Sequence, residues 1–133
     1  MKRLFQSLLI FFGSLALVGM GGAPQGSIPE PDENMTVVLV DRSGLQTELT
    51  KFSMDGHVYF AGQLGDGQIT VYFRNLKSVE MGDVSGENVR VRLHLKSGED
   101  LSITARKRAI FFGNTPYGIY QIRAMDVSRI NFL

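Results

Sequence analysis

The stretch "VRVRLHLK", residues 89–96, carries the plainest structural signal in the chain. Val89, Val91, Leu93 and Leu95 alternate with Arg90, Arg92, His94 and Lys96. Successive side chains of a strand face opposite sides of a sheet, so this spacing predicts a strand with one dry face and one wet face. "TVVLVD", residues 36–41, repeats the pattern less cleanly. No window after Met35 keeps the three-four spacing of an amphipathic helix, so no long helix is expected there.

Around this stretch the chain repeats itself. Ser43-Gly44 and Ser97-Gly98 each follow an alternating strand, 54 residues apart. Gly62 and Gly67 match Gly113 and Gly118, 51 residues apart. At the same offset Ile69 and Val71 match Tyr120 and Ile122, and Leu76, Val79 and Met81 match Val127, Ile130 and Phe132. The three-residue difference falls near "KFSMDG", a place between strands where length can vary. Each copy predicts about five short strands: 36–41, 45–52, 57–62, 68–73 and 79–81, then 89–96, 100–104, 108–113, 119–123 and 129–132. The turn signals "SG", "DG" and "GDG" separate them. A single helical turn is expected in "RNLKSV" and in "RAMDVSRI".

The expectation is an all-β fold of two tandem, internally duplicated, small antiparallel β-barrel-like units packed together. The first covers 35–82, a short polar linker covers 83–88, and the second covers 89–133. A unit this small buries too little surface to be comfortably stable alone, which favours a shared core. The expected core holds Val37, Leu39, Ile69, Val71, Leu93, Leu101, Ile110, Phe112, Ile122, Ile130 and Phe132. Separate barrels, one shared barrel and a sandwich all stay open.

The pattern of strand, glycine turn, two further strands and "G-x-I/Y-x-V/I-…-V-x-x-I-x-F" resembles small β-barrels of the SH3-like or Sm-like kind. The resemblance implies a barrel. Sm-like proteins bind RNA with an Arg-Gly pair near the fourth-to-fifth strand turn, where this chain has Asn75-Leu76 and Met125-Asp126. Peptide-binding SH3 domains use a tyrosine run and a tryptophan. Here there is no tryptophan, and Tyr59, Tyr72, Tyr117 and Tyr120 form no such run. No family function is carried over, since fold does not fix function.

The first 23 residues differ from the rest. Lys2 and Arg3 precede an uncharged apolar run, 8–18, broken only by Gly13 and Ser14 and closed by Gly19, Gly21, Gly22 and Ala23. That is the anatomy of a secretory signal, with cleavage after Gly21 avoiding Pro24 better than cleavage after Ala23. An uncleaved anchor is the other reading, because 4–23 is near spanning length. "PQGSIPEPDEN", 24–34, reads as a Pro- and acid-rich tether. The expected location is exported, periplasmic or secreted, with anchoring through the N-terminal segment as the alternative. The chain has no cysteine, which excludes disulfides, thiolate metal sites and a lipoprotein cysteine.

Of 133 residues, 14 are basic and 13 acidic, for net charge +1, or −1 without Lys2 and Arg3. Nothing in that balance calls for a nucleic-acid partner. The charge is uneven, however. Residues 35–86 carry net −2 and residues 87–133 carry net +4. The candidate basic binding face is Arg90, Arg92, Lys96, Arg106, Lys107 and Arg108. Such a face suits an anionic ligand, a membrane surface or an acidic partner. His57 and His94, with Asp55 nearby, are the only imidazole candidates for a metal, and they lack ligand spacing. Asp66 and Asp83 lie in turn-like segments without paired-acid or calcium-loop spacing. Ser43 and Ser97 lack a nucleophile elbow. The sequence therefore predicts no enzyme, no catalytic or metal site and no cofactor. It predicts a non-catalytic exported cell-envelope interaction module, working through a sheet edge or barrel surface with an envelope protein partner. The alternative is a module that binds an anionic ligand or membrane surface through the second unit's basic face.

Overall fold

The computed structural model describes residues 31–133. The signal or anchor expected at 1–23 and most of the tether lie outside the described residues. Ten antiparallel strands build one sheet. They are β1 (Val37–Asp41), β2 (Gln46–Met54), β3 (Tyr59–Leu64), β4 (Gly67–Tyr72), β5 (Leu76–Ser85), β6 (Asn88–Leu95), β7 (Asp100–Arg106), β8 (Ile110–Thr115), β9 (Gly118–Arg123) and β10 (Val127–Phe132). Single 3-10 turns, Phe73–Asn75 and Ala124–Asp126, lead into β5 and β10, where the sequence predicts one helical turn each. The expected linker 83–88 shortens to a turn at Gly86-Glu87, because β5 runs on through Ser85 and β6 begins at Asn88.

The strand order is β4-β3-β7-β6-β5-β10-β1-β2-β8-β9. The two expected units therefore do not form two separate sheets. The hairpin β3–β4 leaves β2 and pairs with β7, at Gln63↔Thr104. The hairpin β8–β9 leaves β7 and pairs with β2, at Thr50↔Asn114, Ser53↔Phe112 and Met54↔Phe111. Each half of the sheet thus holds strands from both parts of the chain.

The backbone pattern recurs from one half to the other. Asp41 N–H donates to Leu45 O at 3.1 Å, and Leu95 N–H to Glu99 O at 2.8 Å. Arg42 N–H donates to Asp126 O, and Lys96 N–H to Asn75 O, both at 2.9 Å. Phe73 N–H donates to Val58 O at 2.9 Å, and Ala124 N–H to Ala109 O at 2.8 Å. The extra length of the first half sits where β2 crosses to β3. Lys51, in a β-bulge, and Asp55, in the following turn, both have left-handed backbones, at φ 51° and 52°.

The sheet curls around one core. Phe60, on the second strand in the order, meets Phe111, on the ninth, with ring centroids 5.9 Å apart. Phe52 stacks on Phe111 at 5.4 Å and tilts against Phe73 at 5.3 Å. The alternation in β6 holds: Val89, Val91 and Leu93 are buried and Arg90 and Arg92 are exposed. Val37, Leu39 and Ile130 are buried as expected, and Ile69, Val71, Leu101, Ile122 and Phe132 are partly buried against the core. In β8 the expected phase is wrong by one residue. Phe111 is fully buried, while Ile110 and Phe112 are only half-buried.

Gly113 accounts for that phase. It faces inward, and a Cβ there would lie 2.8 Å from Leu49 Cβ. Its counterpart Gly62 faces β7, where a Cβ would meet Thr104 O at 2.6 Å and Ile103 Cδ1 at 2.8 Å. Both crossing hairpins thus approach the neighbouring strand more closely than any side chain allows. Gly113→Ala and Gly62→Ala are each expected to lose roughly 1–3 kcal/mol in urea unfolding, the usual scale of overpacking. Gly67→Ala, whose Cβ meets nothing closer than Leu64 O at 3.6 Å, is the control and is expected to change little.

Candidate functional site

The core fills the inner face of the sheet, so chemistry is left to the outer face, the turns and the edges. The outer side chains of β5, β6, β7 and β10 stand in register. Ser102, Arg92, Glu80 and Arg129 form one row, and Asp100, His94 and Ser78 form the next. Along the second row His94 Nδ1 lies 2.7 Å from Asp100 Oδ1. His94 Nε2 lies 3.4 Å from Glu80 Oε1, and Arg129 Nη1 donates to Glu80 Oε2 at 2.7 Å. The hydrogen bond to His94, followed by that from Arg129, holds the Glu80 carboxyl below its ordinary range. The carboxylates flank opposite ring nitrogens of His94, so the three groups do not converge on a point where an ion could sit. Among the described residues no group of three or more such side chains could hold a metal ion. His57 is elsewhere, stacked on Tyr59 with centroids 4.6 Å apart.

The six candidate basic residues separate in space. Arg90 and Arg92 project from the outer face of β6. Lys96 lies past the other end of β6, beside the β6–β7 turn. Arg106 closes β7 and approaches Asp55 Oδ2 at 3.4 Å, and Arg108 approaches Glu87 Oε1 at 3.8 Å. Lys107 lies in the same turn, its N–H donating to Glu87 O. Among the described residues Arg74, Arg106, Arg108, Arg123 and Arg129 each have a carboxylate partner, and neither Arg90 nor Arg92 has one.

Those two arginines line a groove of about 820 Å³ bounded by β3, β5, β6 and β7. Thr104 and Ser102 stand directly opposite Arg90 and Arg92 on β7, and Gln63 stands opposite Thr104 on β3. Gly82 keeps the β5 side low, since a Cβ there would lie 3.3 Å from Arg90 Cβ. Arg42, which sequence reasoning did not single out, donates from Nη2 to Gly82 O at 2.6 Å. That contact brings a third guanidinium to the rim.

The turn serines do turn work. Asp41 Oδ1 accepts from Ser43 Oγ at 2.6 Å and from Ser43 N–H at 2.9 Å. The Ser43 hydroxyl lowers the Asp41 carboxyl from its ordinary value. Gly44 and Gly98 take φ 91° and 95° in the two "SG" turns. The end of the tether is docked rather than free. Asn34 Oδ1 accepts from Lys51 N–H at 2.9 Å, and Glu33 pairs with Arg74 at 3.3 Å.

Among the described residues the sheet ends in two strands with one neighbour each, β4 and β9. In β9 the contacts of the neighbouring strand β8 fix the direction of the free groups. Ile110 exchanges backbone and side-chain hydrogen bonds with Asp55, so its N–H and C=O face away from β9. Alternation then turns Phe111 and Gly113 toward their β9 partners Ile122 and Tyr120. The N–H and C=O groups of Ile119, Gln121 and Arg123 point off the edge. Beside them Tyr117 is 97% exposed and Ile119 65%.

The chain belongs to a family described as "Uncharacterised protein", whose model matches residues 31–133. A protein of Aquifex aeolicus (strain VF5), described as "Uncharacterized protein", is 25% identical over 132 residues, which cover 99% of this chain and 96% of that protein. No solved structure matches the chain.

Glu80 makes a pH prediction. Its folded pKa is depressed, so its contribution to stability is present above the ordinary glutamate value of about 4.3 and is lost as pH falls through the folded value beneath it. Thermal unfolding followed from neutral pH down to pH 3 should fall less steeply for Glu80→Gln than for the unaltered protein. The gap between the two curves should narrow on acidification. Parallel curves would contradict the assignment.

Proposed function

We propose that this member of the family is a non-catalytic, exported interaction module of the cell envelope, which takes up an extended segment of another protein along the free edge of β9. The observation that carries the reading is the row of outward N–H and C=O groups at Ile119, Gln121 and Arg123. Strand addition needs backbone groups on an open edge and pockets or apolar side chains beside it. Natural edges are commonly blunted by proline, lysine, bulges or covering segments. β9 has no proline, and its one charge, Arg123, sits at its end and is tied to Asp126 at 3.3 Å. The opposite edge is less open: just past β4, Arg74 lies over the Tyr72 ring at 4.6 Å and is held by Glu33.

Export is supported by the sequence of the first 23 residues, and the tether that follows would set the module away from the membrane or release it. The recurring hydrogen-bond pattern supports the reading of the chain as a duplicated small-barrel unit whose two copies have exchanged a hairpin. In that reading the exchange places one hairpin at each end of the sheet and so creates the two edges.

A photo-reactive residue at position 119, activated in native envelopes, should give one adduct with a different polypeptide. Gln121→Pro removes an outward N–H and should abolish the adduct while leaving thermal unfolding nearly unchanged, since an edge strand tolerates proline there. An adduct indifferent to Gln121→Pro, or one formed equally by the purified protein alone, would overturn the reading; the latter would identify the occupant as a second copy.

A further inference from the structure

We propose that the groove on the outer face of β3, β5, β6 and β7 is a binding site for a phosphate-bearing organic ligand, gripped by Arg90 and Arg92. The site is separate from the β9 edge and does not depend on it. Its first ground is charge. Arg90 and Arg92 are two residues apart on one strand, so their Cα atoms lie about 7 Å apart on the same face. Every other described arginine has a carboxylate partner except Arg42, which donates to Gly82 O at the groove's rim. The acid in register with Arg92 is Glu80, and it is already engaged by His94 and Arg129. Two guanidiniums therefore face a groove in which the lining carboxylate, Glu80, is shared with His94 and Arg129 rather than paired with either of them.

The second ground is the company they keep. Thr104 and Ser102 place a hydroxyl opposite each arginine, and Gln63 adds an amide. A guanidinium presents two parallel N–H donors to an oxyanion, and these neutral hydroxyl and amide groups can complete the anion's hydrogen bonding, while the Glu80 carboxylate at the β5 wall stays engaged by His94 and Arg129. The volume, about 820 Å³, falls in the range of organic-ligand sites and far exceeds a bare ion. Among the described residues no aromatic ring lines the groove, so they provide for neither a stacked base nor a stacked sugar ring. The geometry favours recognition of the phosphate itself, either a phospholipid headgroup or a soluble organic phosphate.

The test uses the full chain, with inorganic pyrophosphate as the soluble probe and vesicles of phosphatidylglycerol or phosphatidylcholine as the lipid probes. Side-chain Nε–H resonances of Arg90 and Arg92 should move on saturation with pyrophosphate or with phosphatidylglycerol. Arg90→Gln with Arg92→Gln should weaken that binding by about tenfold or more, the loss expected for removing charge-assisted bidentate contacts. Lys96→Gln removes a charge from the turn that follows the same strand, outside the groove, so it should leave binding within about twofold. Both arginines are exposed, so the double variant should keep its thermal midpoint. Binding to pyrophosphate without vesicles identifies a soluble phosphate; binding to phosphatidylglycerol but not phosphatidylcholine identifies a headgroup. Absence of binding to every probe overturns the proposal, as does binding that Lys96→Gln weakens as much as the double variant.

Discussion

Two connections cross from one half of the sheet to the other, and everything else is arranged around their meeting. Asp55, between β2 and β3, gives its N–H to Ile110 O at 2.7 Å and takes Ile110 N–H on Oδ1 at 3.0 Å. Its other carboxylate oxygen faces Arg106 at 3.4 Å. The first crossing is thus tied to the second, which runs from Arg106 to Ile110. Just beyond the tie each hairpin presses on its neighbouring strand at a glycine, Gly62 on β7 and Gly113 beside Leu49. Aspartate is among the few residues that accept a left-handed backbone, which Asp55 has at φ 52°. The crossing therefore depends on backbone freedom at one residue and the absence of a side chain at two more.

That crossing also shapes the two surfaces on which binding is proposed. It draws the rings of Phe52, Phe60 and Phe111 into one cluster and fills the inner face. The ends of the strand order are left open, and a groove is left on the outer face where β3 lies against β7. An edge and a groove are the two surfaces on which binding is proposed. They differ in chemistry: the edge offers backbone groups with Ile119 and Tyr117 beside them, the groove offers paired guanidiniums.

Much of the local structure was legible in the sequence. The alternation of residues 89–96 and the repeated "SG" turns foretold strands and turns at the right places, because each depends on neighbours in the chain. The phase of β8 was not legible. Ile110, Phe111 and Phe112 are three consecutive apolar residues, and either face could have been the dry one. Gly113 settles it only through its contact with Leu49, a residue distant in sequence. Strand order was hidden for the same reason, since the pairing of β3 with β7 and of β2 with β8 alters no local pattern. The basic face was legible as a cluster of residue types but not as a site. Asp55 and Glu87 partly neutralise Arg106 and Arg108, and those partners emerge only on folding. Arg42 carried no sequence signal that would have linked it to Gly82.

Native-state hydrogen exchange in rising urea reads the interlocking of the two halves of the sheet. If each half is completed by a hairpin from the other, neither can open alone. The slowest amides of β1, β2, β8 and β10 should then exchange through the same opening as those of β3, β5, β6 and β7, with one free energy and one urea dependence. Two separate openings, one for residues 37–85 and another for residues 88–132, would contradict it.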